Sequence, residues 1–490
     1  MAEEVKCDMS RMNSNMNHMD MSGGMANDIS EAATKGIWEL LPCNSQVLAV
    51  HAALLHTGKV LFFSGSGNDP DKLAAHDFRS VAWDYENGTF HRPFTPIDFF
   101  CAGHSFLPNG HLLVAGGTKQ YDNPFEGLKD AFLFDPITEN WIRIQNMADG
   151  RWYPSLVTLG DGRVLAVSGL REVGGDNRIH EIYSNAVGWT PLPASNYDWP
   201  LYPHLFLLRN GNVFYSGGNM GGRAGLAPLK LDINTNSTVP IPGLPDIDRR
   251  DQAASVLLPP AQEQRIMIIA GGDPAINSVA IADLAQPNPS YSPASPLHFS
   301  RMHLNAVLLP DRTVFVSGGG MHAEMDPELR AEIYHPLSNT WSVAAKAEVP
   351  RLYHSVALLL PDGRVITAGS NPHRKDDELR LELYHPPYVF KGQRPFIENA
   401  PQELRYGEAI EIHAPQAYDI KWIHLIRPMA TTHSSDTEQR LVDLGFEHQG
   451  FCRLKAVMPQ ERNIAPPGWY MLFIVNSRDI PSVAKWVHLS

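Results

Sequence analysis

Leu159-Gly160-Asp161-Gly162-Arg163-Val164, running on to Ser168-Gly169, reads as an apolar residue, a tight turn, a β-branched run and a small-Gly ending. An Asp-Gly turn takes the positive φ angles that match the twist of an antiparallel hairpin, so the stretch predicts two strands folded back on each other. The pattern returns at Leu55-His56-Thr57-Gly58, Leu107-Pro108-Asn109-Gly110, Leu208-Arg209-Asn210-Gly211, Gln264-Arg265-Ile266, Leu309-Pro310-Asp311-Arg312 and Leu360-Pro361-Asp362-Gly363. The copies close on Gly65, Gly117, Gly169, Gly218, Gly272, Gly319 and Gly369, at intervals of 52, 52, 49, 54, 47 and 50 residues.

A period near 50 is that of a kelch-type propeller blade. Most copies continue into a third strand and then a fourth that opens on an aromatic, as in Phe132-Leu133-Phe134-Asp135-Pro136 to Trp141 and Glu332-Ile333-Tyr334-His335-Pro336 to Trp341. The last copy stops after Leu383-Tyr384-His385-Pro386-Pro387 with no such strand behind it, while Ile37-Trp38-Glu39-Leu40-Leu41 stands ahead of the first copy and looks like the missing piece. Pairing the two would remove two open sheet edges. The expected fold class is therefore all-β: a seven-bladed kelch-type β-propeller over residues 37–392, followed by an immunoglobulin-like β-sandwich over residues 393–490. In that second region strands are expected at 409–413, 419–428, 451–458, 468–476 and 484–489, with a polar loop from Met429 to Leu441.

Residues 1–36 carry Met1, Met9, Met12, Met16, Met19, Met21 and Met25 with Cys7 and His18 in an Asn/Ser/Gly setting, which reads as a flexible tail. Thioether sulfur favours Cu(I), so such a tail could act with a copper donor, although a leader whose Met content has no role is the plainer reading. A net charge of −13 with no basic stripe argues against nucleic acid, and no apolar run is long enough for a transmembrane helix. Four cysteines without CxxC or zinc spacing exclude a disulfide-built scaffold, leaving a Cys7–Cys43 bridge as one option.

Chemistry-bearing residues recur just ahead of the repeated turns. Cys101 precedes the second, Tyr153 in Arg151-Trp152-Tyr153-Pro154-Ser155 the third, and Tyr353-His354 in Arg351-Leu352-Tyr353-His354-Ser355 the seventh; His433 lies in the C-terminal loop. Taken singly, each has a plainer reading: a buried small hydrophobe, core aromatics, a surface imidazole. Equivalent positions in a ring converge on its axis, however, and two imidazoles, two phenols and a thiol are a donor set suited to copper.

On these pieces, and on Thr432-His433 with Gln439-Arg440 and Ala465-Pro466-Pro467-Gly468-Trp469-Tyr470, the chain from Ile37 onward resembles the galactose oxidase and glyoxal oxidase family of mononuclear copper radical oxidases. The resemblance implies one copper held by Tyr153, Tyr353, His354 and His433. It also implies a protein-derived radical cofactor in which the Cys101 sulfur is joined to the Tyr153 ring, with Tyr353 as general base. The implied reaction is two-electron oxidation of a small aldehyde of the glyoxal or glycolaldehyde type to the acid, with O2 reduced to H2O2. A primary-alcohol oxidase is the alternative, and a non-catalytic kelch binding module a remote one. An extracytoplasmic or secreted location goes with this reading.

One departure stands out. Galactose oxidase covers the cross-linked tyrosine with a Trp from the loop after that blade's glycines, whereas Gly169-Leu170-Arg171-Glu172-Val173-Gly174-Gly175 has none, leaving Trp152 or Trp199 as candidates. The missing Trp and the Arg-Trp-Tyr-Pro-Ser wording lean toward the glyoxal oxidase side.

Overall fold

The computed structural model describes residues 25–221 and 226–490. Among them strands dominate, and the repeat read from the turns becomes a repeat of sheets. Seven sheets each contain a run of four antiparallel strands from residues 37–385, with one, opening at His51–Leu54, extended by two further strands. Each begins with a short, wholly buried or nearly buried strand: His51–Leu54, Gly103–Phe106, Ser155–Thr158, Leu205–Leu207, Ala254–Leu257, Asn305–Leu308 and Ser355–Leu359. Several of these opening strands lie beside the opening strand of the next sheet, and Ser355–Leu359 lies beside His51–Leu54. The strand Ile37–Asn44 completes the seventh sheet by pairing with Arg380–His385, Ile37 opposite His385 and Leu40 opposite Glu382.

Two features of the repeat explain its wording. The arginine ahead of many opening strands is a buried clip. Arg151 donates to the Ser168 carbonyl at 2.7 Å and to Glu181 at 2.8 Å, and Arg301 donates to the Gly318 carbonyl and to Glu332, both at 2.9 Å. The Gly-Gly ending lets the next sheet's main chain pass close by, so that Gly117 N donates to the Arg151 carbonyl at 3.0 Å and Gly319 N to that of Arg351 at 2.6 Å. A buried guanidinium with its carboxylate and carbonyls satisfied fixes the entry into each opening strand.

The strands found at Ala409–His413, Ile420–Ile426, Arg453–Val457, Gly468–Asn476 and Lys485–Leu489 match the expected positions. With Glu403–Leu404, Leu441–Asp443 and Gly445–His448 they form a three-stranded and a five-stranded sheet. One pairing is parallel, Glu403–Leu404 with Lys485–Leu489, which the antiparallel expectation did not contain. Met25–Lys35, assigned from sequence to the flexible tail, is a helix packed against the turn Pro387–Phe390, and Tyr384 caps its end by donating to the Lys35 carbonyl at 2.6 Å. The tail reading rested on composition, which carries no information about a docking surface supplied from the far end of the chain. The earlier methionines, His18 and Cys7 lie outside the described residues, and with them the copper-capture idea. Cys43 is disulfide-bonded, whereas Cys101 and Cys452 are free.

Candidate functional site

The segment read as a polar loop, Met429 to Leu441, is instead a hairpin, Ala430–Thr432 and Ser435–Asp436, that adds to the first sheet with Thr432 opposite His51. The free edge of His51–Leu54 offers the backbone partners that a loop of these residues would otherwise lack. The chain beyond it reaches three other sheets. Thr437 donates to the Leu156 carbonyl at 2.5 Å, Gln439 to the Ala306 carbonyl at 3.1 Å, and Glu438 accepts from Phe106 N and Thr158 Oγ1, each at 2.9 Å, as well as from Ser105 and Arg427. Burial raises the Glu438 carboxyl, but Arg427 and these donors together hold it below its ordinary value. His433, at the turn of this hairpin, is carried to the inner ends of the opening strands.

Cys101, Tyr153, Tyr353, His354 and His433 meet there. The hydroxyls of Tyr153 and Tyr353 are 2.6 Å apart, Cys101 Sγ is 3.4 Å from His433 Nε2, and the rings of Tyr153 and His433 are 5.1 Å apart. Cys101 and Tyr153 share one buried apolar cluster, and Tyr153 N donates to the Cys101 carbonyl at 2.9 Å. Adjacent strand residues point to opposite faces, yet Tyr353 and His354 stack with ring centroids 3.7 Å apart. The backbone supplies the reason: His354 has φ 62°, and left-handed residues recur at the equivalent entries, Cys101 at 58°, Tyr153 at 65°, Tyr202 at 42° and His303 at 56°. Each entry turns just before its strand starts, and that turn lets neighbouring side chains come to one side.

Proton counting fixes how the imidazoles face the site. Thr432 has one hydroxyl hydrogen and gives it to the Val50 carbonyl at 2.8 Å, so its oxygen accepts from His433 Nδ1 at 2.6 Å. His354 Nδ1 points at the Asn371 carbonyl at 3.3 Å, and its Nε2 is buried without a partner. Both histidines therefore present an unprotonated Nε2, that of His433 facing Cys101 Sγ, which is the state of a metal ligand held by an outer hydrogen bond. Burial pushes His354 down to about 3 and His433 well below its ordinary value, so both are neutral at neutral pH. Burial drives the Tyr153 and Tyr353 phenols upward, so a cation in their midst is what would ionise them. Cys101, His354 and His433 form the group whose ligand atoms lie close enough together to hold a metal ion, among the described residues.

Sequence reading did not single out Asn371, Tyr202 or Asp98. Asn371 follows the last closing glycine and donates its backbone N–H to the Tyr353 carbonyl at 2.7 Å. Tyr202 stacks on His433 at 4.6 Å and donates to the Ala102 carbonyl. The Asp98 carboxylate accepts from Ser66 N and Phe100 N and so holds the turn that carries Cys101. Tyr202 occupies the same repeat position as Tyr153, which was the available signal. Of the two tryptophans weighed, Trp152 lies edge-on to Tyr153 at 4.9 Å, whereas Trp199 packs on Tyr197 and Tyr215 between sheets.

Residues 66–388 match the family model described as glyoxal oxidase N-terminus, and residues 394–489 the galactose oxidase-like early set domain. The chain belongs to the galactose oxidase and glyoxal oxidase family. Galactose oxidase of Gibberella zeae is 27% identical over 485 residues, covering 89% of this chain and 68% of that one. Aldehyde oxidase GLOX1 of Arabidopsis thaliana is 27% identical over 542 residues, covering 93% and 84%. A solved structure, a novel fungal alcohol oxidase of the AA5 family in complex with copper, superposes with a TM-score of 0.81 at 24% identity over 93% of this chain and all of that one, a likeness of fold. No helix among the described residues is long and apolar enough to cross a membrane.

Proposed function

We propose that this chain is a copper radical oxidase that converts a small aldehyde, as its hydrate, and O2 into the carboxylic acid and H2O2. The observation that carries the reading is the meeting of a thiol, two partly buried phenols and two unprotonated imidazole nitrogens in one cluster, drawn from three sheets and the C-terminal hairpin. Copper would be held by Tyr153, Tyr353 and the Nε2 atoms of His354 and His433. When bound it supplies a Lewis acid and a one-electron acceptor. The rest falls to the chain's own residues. Cys101 would be joined to the Tyr153 ring as a thioether, which eases loss of one electron from that phenol, and the phenoxyl radical so formed would take a hydrogen atom from the substrate carbon. Tyr353 Oη, beside Tyr153 Oη, would take the substrate's hydroxyl proton once ionised by the bound cation. Trp152, edge-on to the Tyr153 ring at 4.9 Å, would shield that ring on one side.

Support for a seven-bladed propeller comes from the seven sheets and from the seventh opening strand lying against the first. The boundaries proposed are residues 37–392 for the ring and 393–490 for an immunoglobulin-like sandwich. The Cys43 disulfide supports a location outside the reducing cytoplasm. Primary-alcohol oxidation remains the second reading, favoured by the Gibberella galactose oxidase relative.

The test is intact mass after aerobic copper loading, beside Cys101→Ser. The parent should be lighter by about two mass units than its sequence with the disulfide formed, as expected for one new C–S bond, and the variant should not. Equal deficits in both proteins sink the thioether. Oxygen uptake with glyoxal, methylglyoxal, glycolaldehyde and galactose side by side separates aldehyde from alcohol oxidation.

A further inference from the structure

Between the second and third strands of the second sheet the chain makes an additional hairpin, Thr118–Gln120 paired with Glu126–Gly127, that belongs to no four-stranded unit. Its turn carries Tyr121 and Phe125. Phe125 is 41% exposed, less so than Phe94, Phe396 and Phe451, but its ring, unlike theirs, is tied to the site, lying 5.2 Å from that of Trp152. Trp152 is in turn 4.9 Å from Tyr153, and Tyr121 meets Trp152 edge-on at 6.2 Å. A continuous run of aromatic faces thus leads from solvent at Phe125 to the phenol at the centre of the site.

The neighbouring loop makes room for this run. Gly174, with φ 78°, stands where a Cβ would come within 2.7 Å of Pro124 Cβ, so the absence of a side chain at this one position lets the turn carrying Phe125 lie against it. The indole beside Tyr153 is thus that of Trp152, and the hairpin of the preceding sheet packs Tyr121 and Phe125 against it, the latter reaching solvent. Flat apolar faces beside a reacting centre gain most from a flat, unsaturated partner, through offset or edge contacts as well as buried area.

We infer that the hairpin Thr118–Gly127 is the wall of the substrate entrance, and that the preferred substrate is an aldehyde borne directly on a planar aromatic ring, with Phe125 as the outer contact. This rests on the oxidase reading above and narrows its substrate class.

The experiment compares kcat/KM for benzaldehyde and methylglyoxal in the copper-loaded parent, in Phe125→Ala and in Phe125→Leu, with intact mass recorded for each protein. The parent should favour benzaldehyde. In Phe125→Ala the benzaldehyde to methylglyoxal ratio should fall about tenfold, and Phe125→Leu, which keeps apolar bulk without the flat face, should fall between. A parent that oxidises methylglyoxal but prefers it over benzaldehyde, or a ratio unmoved within twofold in both variants, overturns the inference and leaves the oxidase standing. Absence of the thioether mass deficit together with no oxidation of either aldehyde overturns both.

Discussion

Each site imidazole keeps one nitrogen unprotonated because its other nitrogen is tied down, and the ties are different. His433 depends on a threonine hydroxyl committed to the Val50 carbonyl; His354 depends on the main chain at Asn371. Thr432→Val should therefore weaken copper affinity by about 10- to 100-fold, the usual cost of losing a ligand's outer hydrogen bond, as read by chelator competition. An unchanged affinity would mean that Thr432 does not orient the ring. Tyr353→Phe separates roles more sharply: the mass deficit of the Cys101–Tyr153 bond should persist while kcat drops by about 10²- to 10⁴-fold, the range for loss of a positioned base. If the deficit vanishes too, Tyr353 acts in building the cofactor and not only in turnover. Because burial keeps both phenols protonated, copper uptake should release protons, measurable in weakly buffered solution.

The hairpin Ala430–Asp436 and the chain that follows it form the element on which the site depends most. Its Asp436 carboxyl is buried, accepts from Glu438 N at 2.8 Å and Gln439 N at 3.0 Å, and leaves Oδ2 without a partner. Burial, with the nearby Glu438 charge, pushes it up to about 8. The unfolded chain releases this proton near pH 4 and the folded chain holds it to about 8, so stability is fullest below pH 4 and is lost as pH rises toward 8. Asp436→Asn keeps the accepting oxygen and removes the titration. Its melting temperature should exceed that of the parent by a margin that widens between pH 5 and pH 8; a constant margin contradicts the assignment. Removing Glu438 instead leaves Arg427 buried and unpaired, a change that costs about 3–5 kcal/mol.

At the scale of the molecule, the seventh sheet is completed by residues from the opposite end of the chain, and the same strand carries the disulfide-bonded Cys43. Reduction should lower the melting temperature, by the loss of about 2–4 kcal/mol typical of a disulfide. Cys43→Ser should show the same decrease without reductant, and a parent indifferent to reductant would place Cys43 outside the stabilising framework. The division between what was readable and what was not follows this same geometry. The Asp-Gly and Asn-Gly turns, the spacing of their closing glycines and the Trp-led outer strands are local patterns, and local patterns dictate sheets whose equivalent entries must repeat; from that Cys101, Tyr153, Tyr353 and His354 could be placed at equivalent positions. No local pattern says that an entry residue adopts a left-handed turn, that Thr432 pairs with His51, that residues 25–35 find a groove to dock in, or that Phe125 lies across a bare Gly174. Those depend on surfaces contributed by residues tens to hundreds of positions away, which exist only once the sheets have assembled.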